Sequence, residues 1–167
     1  MRVISLCLIL FLCIGLVSCG SRQESCGEML TAIMIKVGDL PAGVIYSPEG
    51  KAGEERYLSD AMAEALWGAN ATTVFSLLSD YSVYLSSFAA PYEIGVFICY
   101  SSSDAHKIES LCRARADIVS VALRQTEYYA LCSNIRIIRR GKVVVFLMTD
   151  NPESTVKQAK RIMRRYG

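Results

Sequence analysis

The chain has 167 residues, enough for one compact domain and a short leader but too few for two full hydrophobic cores. Hydrophobic residues make up 52% and charged residues 20%, proportions that exclude an intrinsically disordered chain. The formal net charge of +2 lacks the strong basic excess of nucleic-acid-binding domains, so no nucleic acid is expected as a partner.

The first 18 residues have the pattern of a signal peptide. Arg2 is followed by an apolar run over residues 3–17, which at about 15 residues is shorter than the roughly 20 of a transmembrane helix. The run closes with Leu16, Val17, Ser18 and Cys19, which fit the bacterial lipobox. There the cysteine sulfur receives diacylglycerol, and the peptidase that recognises the three preceding residues cleaves before the cysteine. The alternatives are an ordinary secretory peptide and an uncleaved anchor.

This interpretation divides the chain into three parts. Residues 1–18 form a lipoprotein signal peptide, residues 19–25 a lipidated tether, and residues 26–167 a single domain. The polar, small residues after Cys19 are typical of a flexible tether. The expected location is the extracytoplasmic face of a bacterial cell membrane, and the covalent diacylglycerol on Cys19 is the one prosthetic group expected.

The first half of the domain predicts two helices separated by an irregular segment. Apolar residues at helical spacing indicate a helix over residues 26–37. Residues 42–57 contain glycine, proline and charged residues, which predicts irregular surface structure. Ser59 and Asp60 are good N-cap residues for a short helix over residues 61–67.

The second half predicts strand–strand–helix twice. Residues 81–89 and 93–100 are β-type runs, followed by a long helix over about 105–126. Residues 135–139 and 142–148 flank Gly141 in a hairpin pattern, and Pro152 begins the last helix. These elements predict an α+β, two-layer domain with an antiparallel sheet of about four strands and helices on one face.

Several stretches together resemble a family of uncharacterised bacterial lipoproteins, catalogued as domain of unknown function (DUF) family number 4358. They are the lipobox, the pair Trp67-Gly68, residues 80–84 with two serines after them, residues 93–97, and residues 140–145 before Asp150. The resemblance covers the leader and about residue 59 to the C-terminus. It implies a lipid-anchored, extracytoplasmic α+β domain and brings no activity, ligand or catalytic residue. The additional cysteines and residues 43–57 depart from the family pattern.

Four cysteines follow Cys19, namely Cys26, Cys99, Cys112 and Cys132. Outside the cytoplasm they could form two disulfides, with three possible pairings. The preferred interpretation is buried free thiols, because free cysteine is among the most buried residue types. The absence of a Cys-x-x-Cys pair argues against thioredoxin-like chemistry and structural zinc, and His106, the single histidine, cannot form a histidine-rich metal site. No metal site and no catalytic residue are predicted.

Four residues are weak candidates for contact with a ligand or partner. Glu93 begins an apolar strand, where its simplest role is to pair with a cation or a backbone amide. Arg139, Arg140 and Lys142 lie at the predicted hairpin tip. A second group of basic residues lies on the last helix: Lys157, Lys160, Arg161, Arg164 and Arg165. Either group could contact anionic lipid or wall polymer, although such residues are usually only a solvated surface.

The sequence therefore favours a membrane-anchored, non-enzymatic domain that binds an envelope protein or a small ligand. Two alternatives stay open. One is an envelope hydrolase or thiol-redox enzyme, which a concave pocket joining Glu93, a hydroxyl and a cation would favour. The other is an accessory subunit of an envelope complex, which an exposed apolar patch would favour.

Overall fold

The computed structural model describes residues 25–87 and 91–164. Within these residues, five strands and six helices follow one another along the chain. The helices are α1 (Cys26–Val37), α2 (Asp60–Trp67), α3 (Ala71–Phe75), α4 (Ser102–Leu123), α5 (Tyr129–Ser133) and α6 (Pro152–Met163). The strands are β1 (Gly43–Tyr46), β2 (Leu78–Ser86), β3 (Glu93–Cys99), β4 (Arg136–Arg140) and β5 (Val143–Met148).

The strands form one antiparallel sheet in the order β1-β2-β3-β5-β4. Strands β3 and β5 are the centre, paired from Glu93↔Met148 at one end to Ile98↔Val143 at the other. The hairpin between β4 and β5 turns at Gly141, whose φ of +53° lies in the left-handed region that glycine adopts without cost. The long helix α4 connects β3 to β4, so that β5 lies between them in the sheet.

The two central strands are buried on both faces, and each face has its own hydrophobic core. Alternate residues of β3 and β5, such as Phe97 and Phe146, pack with α2 and α4 on one face. The residues between them, such as Val96 and Val145, pack with α1 and α6 on the other. This arrangement explains why both strands are continuous apolar runs, since side chains along a strand point alternately to the two faces.

The ends of the helices follow local sequence signals. Ser25 caps α1 in a capping box, accepting the Glu28 amide at 3.2 Å while Glu28 accepts the Ser25 amide at 2.9 Å. Ser59 and Ser101 cap α2 and α4 through their hydroxyl oxygens. Gly38 and Gly68, both at positive φ, follow α1 and α2 directly.

The predicted α+β class and the antiparallel sheet are confirmed, and the structure differs in detail. The sheet has five strands rather than about four, because β1 lies inside the segment 42–57 that was predicted to be irregular; that prediction was wrong for Gly43–Tyr46. Its four residues are too few for a clear alternation, and pairing with β2 makes them a strand. The helices, expected on one face, pack on both. The one-turn helices α3 and α5 were not predicted.

Among the described helices, none has a stretch long and apolar enough to cross a bilayer.

Gly95 provides a test of how tightly β3 is packed. A Cβ atom at this position would lie 2.7 Å from Cε2 of Phe97, whose buried ring cannot easily move. We expect Gly95→Ala to lower the free energy of unfolding by about 1–3 kcal/mol through overpacking. Urea denaturation followed by the fluorescence of the single tryptophan, Trp67, measures this change.

Gly27→Ala is the matched control, because its new Cβ would lie 3.7 Å from Ser25 Oγ, an ordinary contact inside a helix. It should leave stability unchanged or raise it by up to about 1 kcal/mol. Equal effects of the two substitutions would contradict the packing described for Gly95.

Candidate functional site

A cleft lies at the end of the sheet where β3 begins and β5 ends. Its volume is about 260 Å³, and we call it the Arg115 cleft. The residues that line it are Leu66, Leu85, Ser86, Pro91, Tyr92, Glu93, Arg115, Ile118, Val119, Ala122, Leu123 and Met148. Most of these side chains are apolar, and the charged groups among them are Glu93 and Arg115.

Glu93 and Arg115 form a buried ion pair in this cleft. Nε and Nη2 of Arg115 donate to Oε2 of Glu93 at 2.9 and 2.8 Å. The Glu93 side chain is 2% exposed and the Arg115 side chain is 13% exposed. A buried carboxylate needs such a partner, because removing an unpaired charge from water costs several kcal/mol. Glu93 therefore has the role that the sequence favoured, pairing with a cation.

Arg115 also holds α2 in position. Its Nη1 donates to the carbonyl oxygen of Leu66 at 3.0 Å, and its guanidinium lies 5.8 Å from the centre of the Trp67 ring. The carbonyl belongs to the last turn of α2, so one guanidinium joins α4, β3 and α2. The cation–π contact with Trp67 adds further attraction.

The position of Arg115 follows from the spacing of residues on α4. Ile108, Leu111, Cys112 and Val119 are buried on the side of α4 that faces the sheet, and Arg115 occupies the same stripe at helical spacing. The sequence predicted that Glu93 pairs with a cation or a backbone amide but did not identify Arg115 as its partner. Two features of the sequence could have suggested this pair. One is a positive charge on the apolar stripe of a helix, and the other is a negative charge at the start of an apolar strand.

Burial dominates the electrostatics around the ion pair. Burial raises the pKa of Glu93 above its ordinary value, and Arg115 offsets part of that rise. Burial raises the pKa of the Cys112 thiol, and the nearby negative charge of Glu93 raises it further. Cys112 therefore stays a neutral thiol, whereas nucleophilic cysteines need a lowered pKa.

Two hydroxyl groups complete the polar lining of the cleft. The Tyr92 hydroxyl donates to Oδ2 of Asp150, and this hydrogen bond is the main reason that the pKa of Tyr92 rises to about 12. The Ser86 Oγ accepts the backbone amide of Tyr92 at 2.9 Å. The end of β2 is therefore tied to the residue before β3, beside Glu93.

The other candidate residues lie away from the cleft. Arg139, Arg140 and Lys142 are at the β4–β5 hairpin, next to Val143, whereas Glu93 pairs with Met148 at the opposite end of the sheet. Arg139 donates to Glu109 at 2.8 Å. The structure therefore separates Glu93 from the three basic residues. Cys19 and the recognition residues Leu16, Val17 and Ser18 lie outside the described residues.

The remaining predicted features form no second site in the described part of the chain. Cys26, Cys99 and Cys112 are buried free thiols, and Cys132 is a partly exposed free thiol. His106 is exposed near the start of α4. No group of three or more His, Cys, Asp or Glu side chains lies together as metal ligands in residues 25–87 and 91–164.

Comparison with protein-family models, with curated proteins and with solved structures found no match to this chain.

The Glu93–Arg115 pair can be tested by replacing its members singly and together. We expect Arg115→Met to lower the free energy of unfolding by about 3–5 kcal/mol, because it leaves a buried carboxylate without its partner. Glu93→Met/Arg115→Met removes both charges and should recover a large part of that loss. Urea denaturation of the single and double variants completes the cycle.

Arg113→Met is the control on the same helix. Arg113 pairs with Glu109 at 2.7 Å, but its side chain is 66% exposed, so its loss should cost less than about 1 kcal/mol. A double variant as unstable as Arg115→Met would show that the cost of losing Arg115 does not come from an unpaired Glu93 carboxylate.

Proposed function

We propose that this chain is a lipid-anchored, extracytoplasmic bacterial protein whose domain binds a small, largely apolar ligand in the Arg115 cleft. The observation that carries the binding role is the combination of apolar walls with one fixed ion pair. Ligand sites are typically apolar concave surfaces in which a few polar groups set orientation. The lipobox at Leu16–Cys19 carries the anchor, since diacylglycerol supplies the two acyl chains that stable anchoring needs.

The charge balance of the cleft indicates the polarity of the ligand. Glu93 and Arg115 neutralise one another, so an apolar ligand meets no net charge. Arg115 uses three of its N–H groups for Glu93 and Leu66, and a guanidinium has five. The remaining donors suit a carbonyl or hydroxyl oxygen on the ligand. A strong anion would compete with Glu93 for the same guanidinium.

Filling the cleft tests the binding role. Ala122 lines the cleft, whereas its neighbour Val121 does not and is 65% exposed. We expect octanol, an apolar chain with one hydroxyl, to shift the amide NMR signals of cleft residues in the wild type. Ala122→Phe should weaken this binding at least about tenfold, because the ring occupies the volume that the ligand needs.

Val121→Phe adds the same ring one position away and should bind octanol as the wild type does. Shifts that are equally strong in Ala122→Phe, or that occur only outside the cleft, would contradict the proposed binding site.

The anchor is tested by metabolic labelling with a fatty-acid analogue in a bacterial host. Cys19→Ala should abolish the label and release the protein from the membrane fraction, because the thioether to diacylglycerol needs this sulfur. Cys13→Ala, which changes another cysteine of the leader, should keep the label. Label that persists in Cys19→Ala would exclude the lipoprotein assignment.

One observation favours a hydrolase as a second candidate function. The cleft brings together a carboxylate, a hydroxyl and a guanidinium in Glu93, Ser86 and Arg115. The contacts support the binding role better, because Glu93 is held by two N–H donors of Arg115 and the Ser86 oxygen accepts an amide. Hydrolysis of ester probes that is lost in Ser86→Ala would favour the enzyme.

A further inference from the structure

Two groups of basic residues that are distant in sequence lie at the same end of the sheet. The β4–β5 hairpin turns at Gly141, beside the pair Arg140↔Val143, and Val143 also pairs with Ile98 near the end of β3. Arg140 and Lys142 are therefore exposed at the end of the sheet opposite the Arg115 cleft.

The second basic group lies on helix α6, which runs back across the sheet toward the hairpin end. It begins at Pro152, shortly after Met148 at the cleft end, and packs against β4 and β5. Buried residues from Pro152 to Met163 show that the whole helix lies on the sheet. Its 12 residues span about 18 Å, roughly the length of β5, so its last turn lies near the hairpin end. Lys160, Arg161 and Arg164 are exposed there.

The chain also enters the domain at this end. The backbone N–H of Cys26, the first residue of α1, donates to Oδ2 of Asp80 at 2.7 Å. Asp80 pairs with Ile98, the residue that pairs with Val143. The proposed tether, which runs from Cys19 to residue 25, therefore joins the domain beside the basic residues.

These basic residues are not used in ion pairs within the described part of the chain. We call Arg140, Lys142, Lys160, Arg161 and Arg164 the basic end; none of the five forms an ion pair with another described residue. Four acidic residues nearby are engaged: Glu109 by Arg113 and Arg139, Asp104 by Ser101 and Lys107, Asp80 by the Cys26 amide, and Glu28 by the Ser25 amide. Glu49 lines a groove with Ser25 and Asp80 at this same end of the sheet, on the side of the edge strand β1 and across the sheet from β4. Glu54 and Glu55 also follow β1.

We propose that the basic end docks on the anionic phospholipid headgroups of the membrane that holds the lipid anchor. This inference rests on the proposed anchor at Cys19. The six residues between Cys19 and Cys26 extend to at most about 20–25 Å. The short tether thus keeps the basic end close to the surface at high effective concentration. Attraction to anionic lipid falls off within a Debye length of about 8 Å at physiological ionic strength, so it acts in this range.

The experiment compares the lysines at the two ends of the acylated full-length protein in vesicles. Lys142 and Lys160 belong to the basic end, whereas Lys36 is exposed in the last turn of α1, at the opposite end. The protein is reconstituted in phosphatidylcholine vesicles with or without phosphatidylglycerol. It is then acetylated from the aqueous phase and mapped by mass spectrometry.

Docking should slow the acetylation of Lys142 and Lys160 at least about threefold when phosphatidylglycerol is present. Lys36 should react at the same rate in both kinds of vesicle, and high salt should remove the difference. Arg140→Gln/Arg161→Gln/Arg164→Gln keeps both reporter lysines and should abolish most of the protection. The substituted side chains are exposed, so an unchanged urea midpoint should confirm that this variant folds.

Three results would overturn the proposal: equal labelling of the reporter lysines in the two kinds of vesicle, equal protection of Lys36, or full protection in the triple variant. Soluble polyphosphate provides a further arm. If it protects Lys142 and Lys160 in phosphatidylcholine vesicles while phosphatidylglycerol does not, the basic end binds a soluble phosphate polymer rather than the membrane. Failure of the anchor has a different signature, because the protein would then not float with pure phosphatidylcholine vesicles.

Discussion

The buried carboxylate of Glu93 imposes the strongest single constraint on this fold. It begins the central strand β3 and lies beneath helices, where an unpaired charge would be prohibitively costly. The guanidinium of Arg115 must therefore reach it from α4, and that requirement sets how α4 lies across the sheet. Because the same guanidinium holds the Leu66 carbonyl, it also sets the position of α2. The walls of the cleft follow from these placements.

The centre of the sheet serves two cores at once. Alternate side chains of β3 and β5 pack into the layer that contains the cleft, and the residues between them pack against α1 and α6. A substitution that shifts the backbone of β3 or β5 therefore disturbs the packing on both faces of the sheet. Gly95 shows how little space is left, since a single methyl group there would collide with Phe97.

The two ends of the sheet have different chemistry. The Glu93↔Met148 end carries the apolar cleft, while the Ile98↔Val143 end carries the start of α1 and the exposed basic residues. Under the proposed function and the proposed docking, the cleft opens away from the membrane. A ligand could then reach it from the aqueous side while the lipid and the basic end hold the domain at the surface.

Local sequence signals were sufficient for most elements and insufficient for their assembly. The helix α1 was predicted with its observed bounds, and the N-cap residue Ser59, the apolar strand runs, Gly141 and Pro152 located most of the others. The strand β1 was missed because its four residues are too few to show a strand pattern in the sequence. They form an edge strand only by pairing with β2. The sequence indicated that the Glu93 carboxylate is paired. Its partner Arg115 lies 22 residues away on another element, so no local pattern in the sequence identifies it.

The sequence by itself determined the α+β class, the antiparallel character of the sheet and the order of its main elements. These properties depend on periodicity, caps and turns that act over a few residues. Only the tertiary structure decided that helices cover both faces, that Arg115 neutralises Glu93 and that two distant basic groups lie beside the start of α1. Each of these depends on strand register and on the direction in which a helix returns across the sheet, because long-range packing, rather than neighbouring residues, specifies both.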